Sequence, residues 1–169
     1  MIVRLHSHSL RLFALAAVTL ALVFASASVL AVSTDEDENA PLVDPDFAAG
    51  KRGIADKKWA AAIKALSSAA LRDTRNADIQ NELGYAYRNV GQMDKAFAHY
   101  ERALALNPRH RGAHEYVGEA YLMVGKPAQA ELHMKALEAI CLLPCEELDD
   151  LKAKITRYRR DGASASKRP

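Results

Sequence analysis

The chain has 169 residues, of which 50% are hydrophobic and only 7% aromatic. This length is enough for one domain, and alanine and leucine fill most apolar positions, which suits closely packed helices better than sheets. The 23 basic and 21 acidic residues give a formal charge of only +2, which is too small to indicate a strongly basic or acidic surface.

The first segment has the three regions of a secretory signal peptide. Arg4 and Arg11 make a basic start, an apolar run covers Leu10 to Ala25, and small residues follow. We predict a signal peptide over residues 1–27, with cleavage near 27 or near 31, and a periplasmic or secreted protein. The alternative is an uncleaved helix, because the apolar segment is just long enough to span a bilayer. That helix would anchor the protein in the inner membrane, facing the periplasm.

Removing this segment changes the charge argument. Arg4 and Arg11 are the only charged residues among the first 34, so 23 − 2 = 21 basic residues remain against 21 acidic ones. The basic balance therefore belongs to the export signal, and we expect no nucleic-acid partner. Residues 28–42 contain Asp35–Glu38, four consecutive acids, and are predicted to be an acidic disordered leader.

Helical periodicity begins at Asp44 and Pro45, a good N-cap followed by proline at the first helical position. Helices are predicted near residues 45–55, 58–71, 77–90, 93–106, 111–124, 127–141 and 146–160. A shift of 34 residues aligns them, and the same shift superposes two sets of small residues: Gly50, Gly84 and Gly118, and Ala62, Ala96 and Ala130. A period of this length made of two helices is typical of a solenoid.

In this pattern the chain resembles the tetratricopeptide repeat (TPR) family. The middle unit carries the family pattern best, at Leu83, Gly84, Tyr87, Gly91, Ala96, Tyr100, Ala103 and Pro108. The resemblance implies an all-α, right-handed superhelix over residues 43–160, with helix-turn-helix repeats at 43–76, 77–110 and 111–144. It implies a protein-binding scaffold without catalytic activity or cofactor.

The spacing within the repeat has physical reasons. Small side chains at Gly84 and Ala96 let the two helices of the hairpin approach closely. We expect Tyr87 and Tyr100 to fill the space beside that contact, with their hydroxyl groups in water. Gly91 can take the positive φ that ends the first helix.

The last predicted helix, 146–160, has one apolar stripe and one charged face, as expected for the capping helix of a finite solenoid. Residues 161–169 are predicted to be a disordered tail. Cys141 and Cys145 precede the capping helix. We predict a disulfide that joins it to the third repeat, and keep two buried thiols or a metal or redox site as alternatives.

Histidines offer the remaining chemistry. His99 and His133 are one repeat apart on second helices, where a solvated convex face is expected. His110 and His114 have i, i+4 spacing but lack a third ligand, so we expect no metal site. No catalytic constellation is present among the sequence motifs, and the protein is predicted not to be an enzyme.

In the TPR family the first helix of each repeat lines a concave groove. The resemblance places these residues there: Phe47, Lys51, Ile54, Asp78, Asn81, Tyr85, Arg88, Asn89, Glu115, Glu119, Leu122 and Met123. Chaperone-binding members clamp a carboxylate with Lys and Asn at five positions, which here hold Phe47, Lys51, Glu82, Gly112 and Tyr116. Only one of the five is basic, so that ligand is not expected.

The sequence therefore predicts an exported adaptor that binds a protein or peptide in its groove, in cell-envelope assembly by family analogy, with Tyr85 and Arg88 as the first ligand contacts. One alternative is a membrane-tethered assembly subunit with an uncleaved N-terminal helix. The other is a thiol or metal carrier that uses Cys141 and Cys145.

Overall fold

A computed structural model of the chain describes residues 44–165, with side chains as far as residue 162. The predicted signal peptide, its predicted cleavage site and the predicted acidic leader lie outside the described residues. Within them the secondary structure is entirely helical: α1 Pro45–Ala55, α2 Trp59–Arg72, α3 Ala77–Asn89, α4 Met93–Leu106, α5 Arg111–Met123, α6 Pro127–Ile140 and α7 Glu146–Ala165. The predicted helices are confirmed to within one residue at each end, except for the end of α7.

The first helix of each repeat begins at a side-chain cap. Asp44 accepts hydrogen bonds from the backbone N–H groups of Asp46 and Phe47, at 2.8 and 3.0 Å. Asn76 caps α3 in the same way, and the ring Nδ1 of His110 caps α5. Each of these side chains satisfies an N–H group that a helix N-terminus leaves without a partner.

The turns inside the second and third hairpins depend on glycine. Gly91 and Gly125 follow α3 and α5 with φ of +76° and +73°, a conformation that a side chain makes costly. The predicted role of Gly91 is therefore confirmed, and Gly125 repeats it one period later.

The helices form two rows that differ in how tightly they pack. Successive helices of the first row contact one another, and this row consists of α1, α3, α5 and α7. Among the described helices, those of the second row (α2, α4 and α6) contact helices of the first row but not one another. A solenoid whose inner helices touch and whose outer helices do not must curve toward the inner row. The first helices therefore line the concave side, and α7 occupies the place of a fourth first helix.

A glycine at the same repeat position in each first helix receives a large side chain from a neighbouring helix. A Cβ at Gly50 would lie 2.5 Å from Leu66, one at Gly84 2.5 Å from the Tyr100 ring, and one at Gly118 2.7 Å from Leu151. The Tyr100 ring fills the space beside Gly84, as predicted.

Tyr100 is also more deeply buried than the sequence suggested. Its side chain is fully buried, and its hydroxyl has no hydrogen-bond partner within the described part of the chain. The expectation that this hydroxyl reaches water is wrong, because the ring is drawn under α3 into the vacancy that Gly84 provides.

The end of the solenoid carries the predicted disulfide, but its last helix is longer than predicted. The disulfide between Cys141 and Cys145 is present and joins the end of α6 to the start of α7. α7 continues to Ala165 instead of ending near 160, so the first part of the predicted disordered tail is helical. Residues 161–165 contain no proline and only one glycine, so nothing in that stretch forces the helix to stop.

Gly84→Ala tests the glycine contact. The added methyl group would meet a rigid ring edge at 2.5 Å, and we expect a loss of about 1–3 kcal/mol in the free energy of unfolding. Gly112→Ala is the matched control, because its nearest atoms are 3.5 Å away and alanine favours the helix. Urea denaturation of both variants gives the comparison. Equal stability of the two variants would contradict the contact.

Candidate functional site

A row of aromatic rings runs across the concave side. The ring centroid of Trp59, at the start of α2, lies 6.0 Å from that of Tyr85 on α3. The Tyr85 ring in turn lies 4.8 Å from Tyr116 on α5. All three side chains are half-buried, so each presents part of a large apolar surface to solvent.

Arg88 holds the two tyrosines in place. Its guanidinium carbon lies 5.0 Å from the centroid of the Tyr85 ring and 5.5 Å from that of Tyr116. It donates to the backbone carbonyl of Tyr116 at 3.2 Å and pairs with the carboxylate of Glu119. Arg88 is only 7% exposed, so it supports the aromatic row from beneath and is not an open ligand contact.

The ion pair of Arg88 belongs to a chain of charges that crosses three helices. Glu119 on α5 pairs with Arg88 on one side and with Lys154 of α7 on the other. The Lys154 ammonium also lies 3.5 Å from Glu115, one turn earlier on α5. We call Arg88, Glu119, Lys154 and Glu115 the ion ladder.

The two carboxylates of the ion ladder differ in electrostatic environment. Burial and the nearby charge of Glu119 raise the pKa of Glu115. Burial also acts to raise the pKa of Glu119, but Arg88 and Lys154 outweigh it and hold that pKa below its usual value. Glu119 therefore carries the charge that holds the ladder together, and Glu115 is the carboxylate that is short of a partner.

The structure divides the predicted groove residues. Phe47 and Ile54 are half-buried against the core of the first repeat, while Lys51 is exposed with its ammonium 5.8 Å from the Phe47 ring centroid. Asp78 is exposed and accepts a hydrogen bond from His110 at 2.9 Å. The exposed Asn89 donates to the backbone carbonyl of Tyr85 at 2.9 Å.

Leu122 is not a groove residue. It is 9% exposed and packs in one core cluster with Leu137, Leu151 and Ile155. The capping helix α7 contacts α5 and covers this part of it. The prediction failed because it treated the third repeat as if its inner face were open; Met123, the next residue, remains exposed.

Asn81 and Glu115 lie deeper than predicted, at 4% and 8% exposure. The side-chain oxygen of Asn81 has no hydrogen-bond partner in the described region. Both residues therefore belong to the floor of the groove and not to its rim.

The sequence did not predict Trp59 or Lys154 as residues of the site. It named Tyr116 only as one of the five positions that clamp a carboxylate in chaperone-binding members of the family. Trp59 is the one tryptophan of the chain, but it lies on a second helix, which the repeat pattern assigns to the outer row. Tyr116 shares its repeat position with Glu82, and that equivalence was the available signal. Nothing in the sequence indicated that Lys154 would reach α5.

His99 and His133 are not on a solvated face, contrary to the prediction. The Nδ1–H of His99 donates to the side-chain oxygen of Gln80 at 2.8 Å, and the His99 ring stacks on Tyr87. One repeat later, His133 lies 2.9 Å from His114, nitrogen to nitrogen. Because the Nε2 of His114 faces the Pro108 carbonyl at 3.0 Å, that nitrogen carries the proton, and the Nδ1–H of His133 donates to His114.

Metal sites and membrane-spanning helices are both absent from residues 44–165. No group of three or more His, Cys, Asp or Glu side chains there is arranged to hold a metal ion. None of the helices in this range is both long and apolar enough to cross a membrane.

Residues 77–110 match the tetratricopeptide repeat family. No characterised protein matches the sequence of the chain at a significant level. The family match covers the middle repeat, the unit whose sequence carries the pattern most completely.

Solved structures resemble the whole solenoid. The Sgt2 TPR domain from Aspergillus fumigatus has a TM-score of 0.65 at 20% identity, covering 77% of this chain and 87% of that one. The first TPR of Spaghetti (RPAP3), bound to the HSP90 peptide SRMEEVD, has 0.60 at 19%, covering 68% and 90%. MamA has 0.52 at 32% identity and covers 55% of each chain, so this chain spans about half of MamA. The predicted TPR solenoid is therefore confirmed.

The histidine pair predicts a pH dependence of stability. Burial and the neighbouring His114 lower the pKa of His133 to about 4, from 6.5 in the unfolded chain. On acidification the unfolded state therefore binds the proton first, so stability is complete above pH 6.5 and falls toward pH 4. We expect a loss of about 1–2 kcal/mol, discounted for the partial exposure of the ring.

His114→Gln is the matched variant, because glutamine is the residue that pairs with His99 one repeat earlier. It removes the second imidazole and keeps an acceptor for His133. Unfolding free energies measured from pH 8 to pH 4 should fall less steeply for the variant. Since all other titrating groups are shared, parallel curves would show that the pair contributes nothing.

Proposed function

We propose that this TPR solenoid is an exported adaptor that binds an extended segment of a partner protein along its concave side, in the assembly of the cell envelope. The observation that carries the proposal is the aromatic row of Trp59, Tyr85 and Tyr116, fixed by the buried Arg88. Rigid aromatic side chains contribute contact area at low entropic cost, which makes them typical binding hot spots.

The arrangement suits binding better than catalysis. Arg88 and Glu119, which fix the rings, are paired with each other and lie beneath the surface. Spaghetti, a structural neighbour, is bound to a peptide, and this precedent supports peptide binding by the present chain. We therefore assign no catalytic activity to the chain.

The disulfide supports both export and a structural role for the cysteines. Disulfides persist mainly in oxidising compartments. Cys145 is 7% exposed and Cys141 half-buried, and their bond joins α6 to α7. A thiol carrier would need an accessible sulfur, so the geometry favours a staple at the end of the solenoid.

Tyr85→Ala tests the groove. Affinity capture from the envelope fraction first identifies the partner that binds the intact protein. Tyr85→Ala should then weaken binding of that purified partner about 30-fold, or ~2 kcal/mol, because it removes the middle ring of the aromatic row. Emission from Trp59, the single tryptophan, reports the titration.

Tyr158→Ala is the control, because this tyrosine lies on α7 near Gly125 and outside the aromatic row. Both variants should keep the helical content of the parent protein by circular dichroism. If the two variants bind the partner equally well, the concave side is not the binding surface.

Export is tested by the mass of the protein isolated from the cells that produce it. Cleavage at the predicted sites gives a mature chain that begins at Ser28 or Val32. A chain that retains its first residues and fractionates with membranes would support the tethered alternative instead. The same spectrum, taken before and after reduction, reports the state of the two cysteines.

A further inference from the structure

The floor of the groove carries hydrogen-bond acceptors that lack donors. Glu82 on α3 is half-buried and forms no hydrogen bond or ion pair with any described residue. Asn81 is only 4% exposed, and its side-chain oxygen has no hydrogen-bond partner among the described residues either. Glu115 shares a single lysine with Glu119. Acceptors left without partners in a protected site cost free energy that an incoming donor can restore.

Glu82 lies close to the aromatic row, because it precedes Tyr85 by one turn of α3. The charges of Glu82 and Glu115 both act on the Tyr116 hydroxyl, whose pKa burial and these carboxylates raise to about 12. Asn81 lies between α3 and α5, since its side-chain nitrogen is 3.5 Å from the position of a Cβ at Gly112. Glu82 and the row of rings are therefore parts of one surface, and Asn81 lies beneath it between α3 and α5.

Burial adds to the demand for a cation. It raises the pKa of Glu82, as does the charge of Asp78, and among the described residues the only basic group that acts against this shift is Lys51. The Lys51 ammonium is exposed and lies over the Phe47 ring, and it makes no ion pair with Glu82 in the described structure. A bound cation would stabilise the ionised carboxylate where the protein itself does not.

We propose that the groove selects a basic segment of its partner, with an arginine or lysine side chain that lies along the faces of Tyr85 and Tyr116 and donates to Glu82. This inference rests on the groove-binding function proposed above. The tyrosine faces suit a guanidinium or ammonium group, as Arg88 already demonstrates from within the protein at 5.0 Å from Tyr85.

An acidic ligand fits the same surface poorly. Its carboxylates would approach Glu82 and the acceptor oxygen of Asn81, and the cations of the ion ladder are already paired with Glu119 and Glu115. Like charges placed together at an interface disfavour the wrong partner. Charge complementarity therefore favours a basic segment over an acidic one as the ligand of this groove.

The test compares two probe peptides on the full chain. One is built of repeated Gly-Ser-Arg triplets and the other of Gly-Ser-Glu triplets, both blocked at their ends, so they differ in the sign of their charge. Emission from Trp59 and isothermal calorimetry at low ionic strength give the affinities. We expect the arginine peptide to bind at least about tenfold more tightly than the glutamate peptide.

Variants assign that preference to residues. Glu82→Gln should weaken the arginine peptide about five- to tenfold, whereas Glu101→Gln, which removes an exposed carboxylate from α4, should leave it unchanged. Lys51→Met should strengthen it about two- to threefold, because it removes the competing cation. If Glu82 acted only in folding, Lys51→Met would not strengthen binding of the arginine peptide.

The outcomes separate the two proposals. Equal binding of both peptides, or equal effects of Glu82→Gln and Glu101→Gln, overturns the basic preference. The partner titration with Tyr85→Ala still decides the groove function in that case. Absence of binding by either peptide also overturns the preference, and a captured partner that requires Tyr85 would then show that another feature of the ligand is recognised.

Discussion

The close approach of helices at one glycine per repeat determines the rest of the structure. Gly50 and Gly84 each receive a large side chain from the second helix of their own repeat, Leu66 and Tyr100. This contact brings the second helix against the first, and successive first helices then touch each other. Because the outer helices remain apart, the chain curves and the groove exists. A methyl group in place of these vacancies would spread the hairpin and, with it, the spacing of the aromatic row.

The third repeat keeps the glycine and changes the residue that fills the space. The three atoms nearest to a Cβ at Gly118 all belong to Leu151 of α7. At the position in α6 that corresponds to Tyr100 stands Met134, a flexible side chain that packs at the edge of the last core cluster. The space above Gly118 is therefore filled by Leu151 of the capping helix. This packing of α7 in place of a further repeat ends the solenoid.

Local rules made the helices and the repeat predictable. Caps such as Asp44, the positive φ of Gly91 and the 34-residue register each depend on residues close in sequence. The groove was harder to predict because exposure depends on helices far apart in the chain. Leu122 is buried by α7, and Arg88 is buried by its pairing with Glu119, 31 residues away. His133 likewise follows the helical pattern of an exposed position, yet His114 of the preceding helix contacts it.

The end of the solenoid also influences what the groove can bind. Without α7, Glu119 would keep only its pairing with Arg88, and Glu115 would have no ion-pair partner among the described residues. With it, Lys154 neutralises part of that charge, and Glu119 can hold Arg88 against the tyrosines. Lys154 does not reach Glu82, so the net acidity of the floor is concentrated at the α3 carboxylate beside the aromatic row. A capping helix with a neutral residue at this position would leave the groove more acidic and strengthen its preference for a basic segment, because the rings supply contact area and the carboxylates supply selectivity.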